Sequence, residues 1–271
     1  MKISQILLDG IDKKAMKIKD SPEYFSERAR LIEEGLRRLG DLHSFWLEHP
    51  ELRSRLLLDN NAKSEKEIKN IAKKGIKQIK RAWRYLCSDE LKESNLGVLG
   101  YVNSEVIEKV GMFVDPKKNY AGFRKNLDYI ASPFPDYTPK NPDLVLYGIE
   151  SLCEYIHNNS NLHEVELAGE IHLRLAGLQA FHEGNKRTSR LFERRVLEGY
   201  GLPTSVIPSG EREHYLGILT TALNGLKEGD VEMQEPFFNY IGGKVSTALD
   251  TIIGDLELEV PTYKSNKKQN F

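Results

Sequence analysis

Residues 179–190 read Gln-Ala-Phe-His-Glu-Gly-Asn-Lys-Arg-Thr-Ser-Arg, and these types in this order suit the binding of a phosphate. The Gly-Asn pair marks a turn, with one helix expected to end near Gln179 and another to open at about 186–188. A helix N-terminus presents unpaired N–H groups and a partial positive charge, which together attract anions. Gly184 lets the backbone approach such an anion closely. Lys186, Arg187 and Arg190 place three cations in the first turns, and Arg190 can fork onto phosphate oxygens. Glu183 offers a hard oxygen ligand suited to Mg²⁺, which usually arrives with nucleotide phosphates. Phe181 is the apolar plug that would pin the loop to a core. By residue type alone, a structural loop could carry the same composition.

Two helices and a core must hold that loop. Helical periodicity runs from about Leu144 through Tyr147, Ile149, Leu152, Tyr155 and Ile156, continues over 165–178, and restarts at Thr188. Gly199, Gly201 and Pro203 supply its stop. Two further helices are expected near 211–226 and 236–256. Upstream, apolar residues recur at helical spacing from Phe25 and Ala29 through Leu36 and Leu39 to Phe45 and Trp46, and Ser21-Pro22-Glu23 resembles the helix start. Residues 64–86 form the cleanest amphipathic pattern, with Ile68, Ile71, Ile76, Ile79 and Trp83 on one stripe. Its other face is basic, from Lys63 to Arg84. Such a face could touch nucleic acid or acidic lipid, but without an aromatic or motif companion a solvated face is the preferred reading.

Between 111 and 143 the character changes. Strand-like residues around 122–130 predict a hairpin, and Pro133, Pro135, Pro139 and Pro142 predict an irregular connector. The tail, 263–271, reads as a frayed end. The fold class expected is all-α with a small β-hairpin. It divides into an N-terminal helical region (1–105), a core (106–230), and a C-terminal helix with its tail (231–271).

Composition bounds the function. With 39% hydrophobic and 29% charged residues, the 271-residue chain reads as globular, and 39 Lys and Arg against 40 Asp and Glu predict no polyanionic partner. Cys87 and Cys153 lack metal-ligand spacing and read as free thiols. No leader-like apolar stretch opens the sequence, and no run approaches the roughly 20 apolar residues of a membrane span. A cytoplasmic protein is expected.

The ordered motif 179–190 resembles the core motif of the Fic family, H-x-F-x-[D/E]-G-N-[G/K]-R-x-x-R, and every defined position matches except the first. The resemblance covers about 111–226. It implies a mostly helical fold whose β-hairpin flap, here 123–130, faces the motif loop and docks a target or regulatory protein. It also implies an ATP-like nucleotide with Mg²⁺ as cofactor, Glu183 holding the metal, Phe181 anchoring the loop, and Gly184 and Asn185 cradling phosphates. Lys186 fills the variable position, Arg187 and Arg190 are the family's two arginines, and Arg190 would contact the outer phosphates. The family reaction is usually transfer of AMP from ATP to a Ser, Thr or Tyr hydroxyl. An oligomer is compatible with the sequence.

Gln179 stands where the family places its catalytic histidine. An amide cannot take a proton near neutral pH, and losing a general base typically costs about 10²–10⁴ in rate. His182 holds a free position of the motif. His172 lies seven residues before Gln179, about 10 Å along a helix, too far for direct proton transfer and better read as a core or partly exposed histidine. Three readings of Gln179 stay open: a silent relative that binds nucleotide or a partner, altered chemistry that needs no base there, or a deliberately introduced change. Many Fic proteins also carry an inhibitory helix, [S/T]-x-x-x-E-[G/N], whose glutamate pairs with the last arginine of the motif. Here the candidate is Glu34-Gly35, with Arg30 where Ser or Thr is expected.

Overall fold

Caps and apolar stripes set the helices of the chain, seen in a computed structural model that describes residues 2–58, 62–87, 99, 102, 123, 137–139, 141–159, 161–181 and 184–256. Among the described residues the α-helices are α1 (Gln5–Lys19), α2 (Glu27–Glu48), α3 (Pro50–Leu58), α4 (Ala62–Leu86), α5 (Val145–Asn158), α6 (Glu164–Leu178), α7 (Asn185–Gly199), α8 (Arg212–Glu228) and α9 (Glu235–Asp255). The all-α expectation holds. Extended pairing among the described residues is an isolated antiparallel bridge between Phe123 and Phe181. The rest of the expected flap (124–130), Pro133 and Pro135 of the connector, and the expected tail lie outside the described residues.

Two helices escaped the sequence reading. Ser4 caps α1 by accepting from the Leu7 amide, and Leu8, Ile11, Ala15 and Ile18 give it a buried stripe at helical spacing. α3 follows α2 after a break at His49. The start of α2 is also corrected. Ser26, not the Ser21-Pro22 pair, is the N-cap, its hydroxyl accepting from the Ala29 amide at 3.1 Å. Residues 21–25 form turns, and Phe25, expected in the apolar stripe, is 93% exposed.

The apolar surface converges on α6, where only Glu164 and Arg174 escape full burial. A helix apolar nearly all round belongs in a core. α5, α7, α8 and α9 pack around it, and α1 lies along α9. A second cluster joins α5 and α6 to Phe123 and Phe181, and a third joins α2, α4 and Leu191 of α7. At that third contact the helices touch closely, because a Cβ on Gly75 would stand 2.4 Å from the Phe45 ring. The buried acids of α6 are satisfied: Glu166 accepts from the Lys2 amide at 2.7 Å, while Glu170 meets the Lys2 ammonium and Arg174 Nε.

Candidate functional site

α6 and α7 pack along each other, and the loop joining them is the motif. Gln179 ends α6 in the left-handed region at φ 44°, the one non-glycine residue with positive φ among the described residues. Such a conformation is uncommon for glutamine and costs of order 1–3 kcal/mol unless its surroundings hold it. They do. The Gln179 amide donates to the Ala176 carbonyl at 2.5 Å, and its Oε1 accepts from Asn185 Nδ2 at 3.3 Å. The side chain is 4% exposed and turned into the loop.

Asn185 is the staple of this turn. Its Oδ1 accepts from the Phe181 amide at 2.9 Å, and its Nδ2 donates to the Phe181 carbonyl at 2.7 Å. With the side chain so engaged, what Asn185 can offer a ligand is backbone. Gly184 precedes it at φ 78°, a region that favours glycine. The Thr188 amide bonds to the Gly184 carbonyl at 2.8 Å, so the amides before it lie ahead of the α7 ladder. Phe181 is buried and stacks on Phe123 with ring centroids 5.1 Å apart. His182 and Glu183 lie outside the described residues, and the expected metal ligand with them.

The cations of α7 converge on a residue of α2. Glu48 Oε2 lies 3.1 Å from Lys186 Nζ, and Glu48 Oε1 lies 2.9 Å from Arg190 Nη2. Arg190 also donates from Nε to the Ser44 hydroxyl at 3.1 Å and from Nη2 to the Ser44 carbonyl at 3.3 Å. Burial alone would raise the Glu48 pKa, but the charges of Lys186, Arg190 and Arg187 outweigh it and hold the carboxyl down at about 2. Burial in turn lowers the Lys186 pKa, against the pull of Glu48. Glu34, the expected partner of Arg190, does not reach it. Its carboxylate meets Arg38 at 2.8 Å and Arg30 at 3.8 Å along its own helix. Ser44-Phe45-Trp46-Leu47-Glu48-His49 does carry the Ser and Glu of the inhibitory pattern, one turn apart on α2, with His49 at the last position.

Behind Arg190 lies a polar chain that spacing could not show. Arg190 Nη1 stands 3.4 Å from the Tyr215 hydroxyl, which is 2.9 Å from His172 Nε2. His172 Nδ1 meets Glu193, which accepts from Ser205. His172 and Tyr215 are fully buried. Of the core and partly exposed places expected for His172, the structure shows the core, and its ring is committed to these partners.

Residues 93–197 match the family model described as Fic/DOC family. Over that stretch the chain is similar to the Fic family. That match begins and ends earlier than the expected stretch of about 111–226. Proteins named protein adenylyltransferase Fic, from Drosophila melanogaster and Drosophila virilis, are 28% identical over 178 residues, covering 59% of this chain. The chain spans about a third of those relatives, 34% and 35% of their length. A Fic-domain-containing signaling protein from Bacteroides thetaiotaomicron has a similar structure, with TM-score 0.68 at 19% identity over 93% of this chain and 98% of that one. Fic-1 from C. elegans has TM-score 0.66 at 17% identity over 93% of this chain and 72% of that chain. These two likenesses concern the fold. No helix among the described residues is long and apolar enough to cross a membrane.

Proposed function

We propose that this protein binds the phosphates of ATP at the start of α7, and that two features of its own chain hold back AMP transfer to a protein hydroxyl. The carrying observation is the carboxylate of Glu48 on Lys186 and Arg190. A site that gathers two half-buried cations around a carboxylate is built for negative charge, and a phosphate would have to displace Glu48 to use them. Gly184, the amides ahead of Thr188, Lys186, Arg187 and Arg190 would take the phosphates. Glu183 would hold Mg²⁺, whose charge would offset theirs.

Gln179 is the second restraint. A base at this position would have to accept the proton of the attacking hydroxyl, which an amide cannot do at neutral pH. Its inward hydrogen bonds favour a structural role, that of holding the left-handed turn which presents Gly184 and Asn185. That geometry supports the reading of a nucleotide-responsive, catalytically silent regulator over one of altered chemistry. The partner would dock along 123–130, where Phe123 bridges the motif loop at Phe181.

The test is label transfer from α-phosphate-labelled ATP in lysate, comparing the chain with Gln179→His, Glu48→Gly and the pair together. Transfer only by the double variant supports both restraints. Transfer by the unaltered chain overturns the silent reading, and absence of ATP binding by Glu48→Gly overturns the phosphate site.

A further inference from the structure

The basic face of α4 acquires in the fold the companions that its sequence lacked. A groove of about 840 Å³ runs between α2 and α4, beside the Glu48 site. Its α4 wall carries Lys69, Lys73, Lys77, Lys80 and Arg84. The α2 wall adds Arg30, Arg37 and Arg38, and Arg194 of α7 joins them. Two acids, Glu34 and Asp41, line it with these nine cations, and Arg30, Arg37, Arg38, Lys69 and Arg194 are each paired with a carboxylate. The cations further along α4 keep the groove basic in a chain whose formal charge is −1. Lys73, Lys77 and Arg84 are exposed and make no ion pair among the described residues.

The groove is not charge alone. The chain has two tryptophans, and both line it: Trp46 from α2 and Trp83 from α4, each half-buried. The Arg194 guanidinium already stacks over Trp83, 3.8 Å from the ring centroid.

We propose that the α2–α4 groove binds a single-stranded polynucleotide, with phosphates along the α4 cations and bases against the tryptophans. A basic track with aromatic platforms is how strands are held without sequence preference. From Lys69 to Arg84 the row extends about 22 Å, at 1.5 Å per residue, and offers cations every three or four residues on one face. The indoles suit unpaired bases, whose faces are open to stacking, whereas a duplex stacks its bases within itself. An acidic peptide would use the lysines but leave the indoles without a role. This site is independent of the nucleotide site at α7.

Intrinsic tryptophan fluorescence and the anisotropy of a labelled oligothymidylate about 20 nucleotides long test it together. Both tryptophans are in the groove, so stacking should quench the protein's own emission on binding. Neutralising three or four phosphates predicts a slope of log K against log salt of about −2 to −3. Lys73→Glu with Lys77→Glu, both exposed, should weaken binding about tenfold or more and leave the circular dichroism unchanged. The proposal is overturned by no binding at low salt, or by equal affinity of the double reversal. It is also overturned by a duplex bound as tightly as the strand, or by polyglutamate displacing the strand with no quenching, which would assign the groove to an acidic peptide.

Discussion

Glu48 Oε1 sits 2.9 Å from Arg190 Nη2, across 142 residues of sequence, and the same carboxylate reaches Lys186 with its other oxygen. One side chain thereby occupies two cations of the motif. Because its pKa is held at about 2 against an ordinary 4.5, its stabilising contribution is fully present above about pH 4.5. That contribution is lost only as pH falls through about 2. The contact is therefore insensitive to pH in the neutral range, and its release must come from a ligand, a partner or mutation.

Glu48→Gln should raise ATP affinity about tenfold or more by calorimetric titration, because phosphate no longer competes with a carboxylate. The same change leaves Lys186 and Arg190 without their counter-charge and should lower the thermal midpoint. Saturating ATP should then restore more of that midpoint in the variant than in the parent. Equal ATP affinities in the two proteins would rule out the competition.

Gln179→His alone should fold, since histidine is among the residues that tolerate the left-handed region, but should transfer little label while Glu48 remains. Gln179→Ala should cost about 1–3 kcal/mol by urea denaturation, as it removes two loop hydrogen bonds at a strained position. A neutral result would show that the turn needs no help from the amide.

Asp41 gives the pH signature. Burial raises its pKa to about 6, against the opposing charges of Arg194 and Lys80. A raised carboxyl favours the protonated fold, so this contribution is present at low pH and is lost as pH rises through about 6. The loss is about 3 kcal/mol in all. Asp41→Asn should therefore match the parent near pH 4 and exceed its melting temperature above about pH 6. Parallel melting curves across that range would remove Asp41 as the cause.

Tyr215→Phe should cost about 1–3 kcal/mol, since it leaves buried His172 Nε2 without its partner. In a Glu48→Gln background it should also weaken ATP binding, as Arg190 loses the hydroxyl at 3.4 Å. Unchanged ATP affinity there would reduce the tyrosine to packing.

The motif loop and most helices were legible because their signals are local. Gly-Asn, the flanking periodicity and the three cations all fall within 12 residues of Gln179. The contact that covers the cations was not, because nothing in spacing says which of two glutamates on α2 faces α7. Glu34-Gly35 matched the end of the inhibitory pattern and Ser44-x-x-x-Glu48 its beginning, and the helix places only the second pair on Arg190. Tyr215, His172 and Glu193 could not be linked at all, since they meet only once three helices have packed. In the sequence the groove tryptophans are ordinary members of apolar stripes. Only the crossing of α2 with α4 sets them beside the lysines.

The packing of α1 on α9 has a consequence for the order of events at the ribosome. Lys14 of α1 meets Asp250 of α9, a partner 236 residues later in the chain. At synthesis rates of about 5–20 residues per second, the apolar face of α1 waits roughly 10–50 s for its cover. During that interval Leu8, Ile11 and Ile18, all buried at the end, lack the α9 surface that they pack on in the finished fold. α1 is thus sealed long after it is made, and its stability is tied to that of α9.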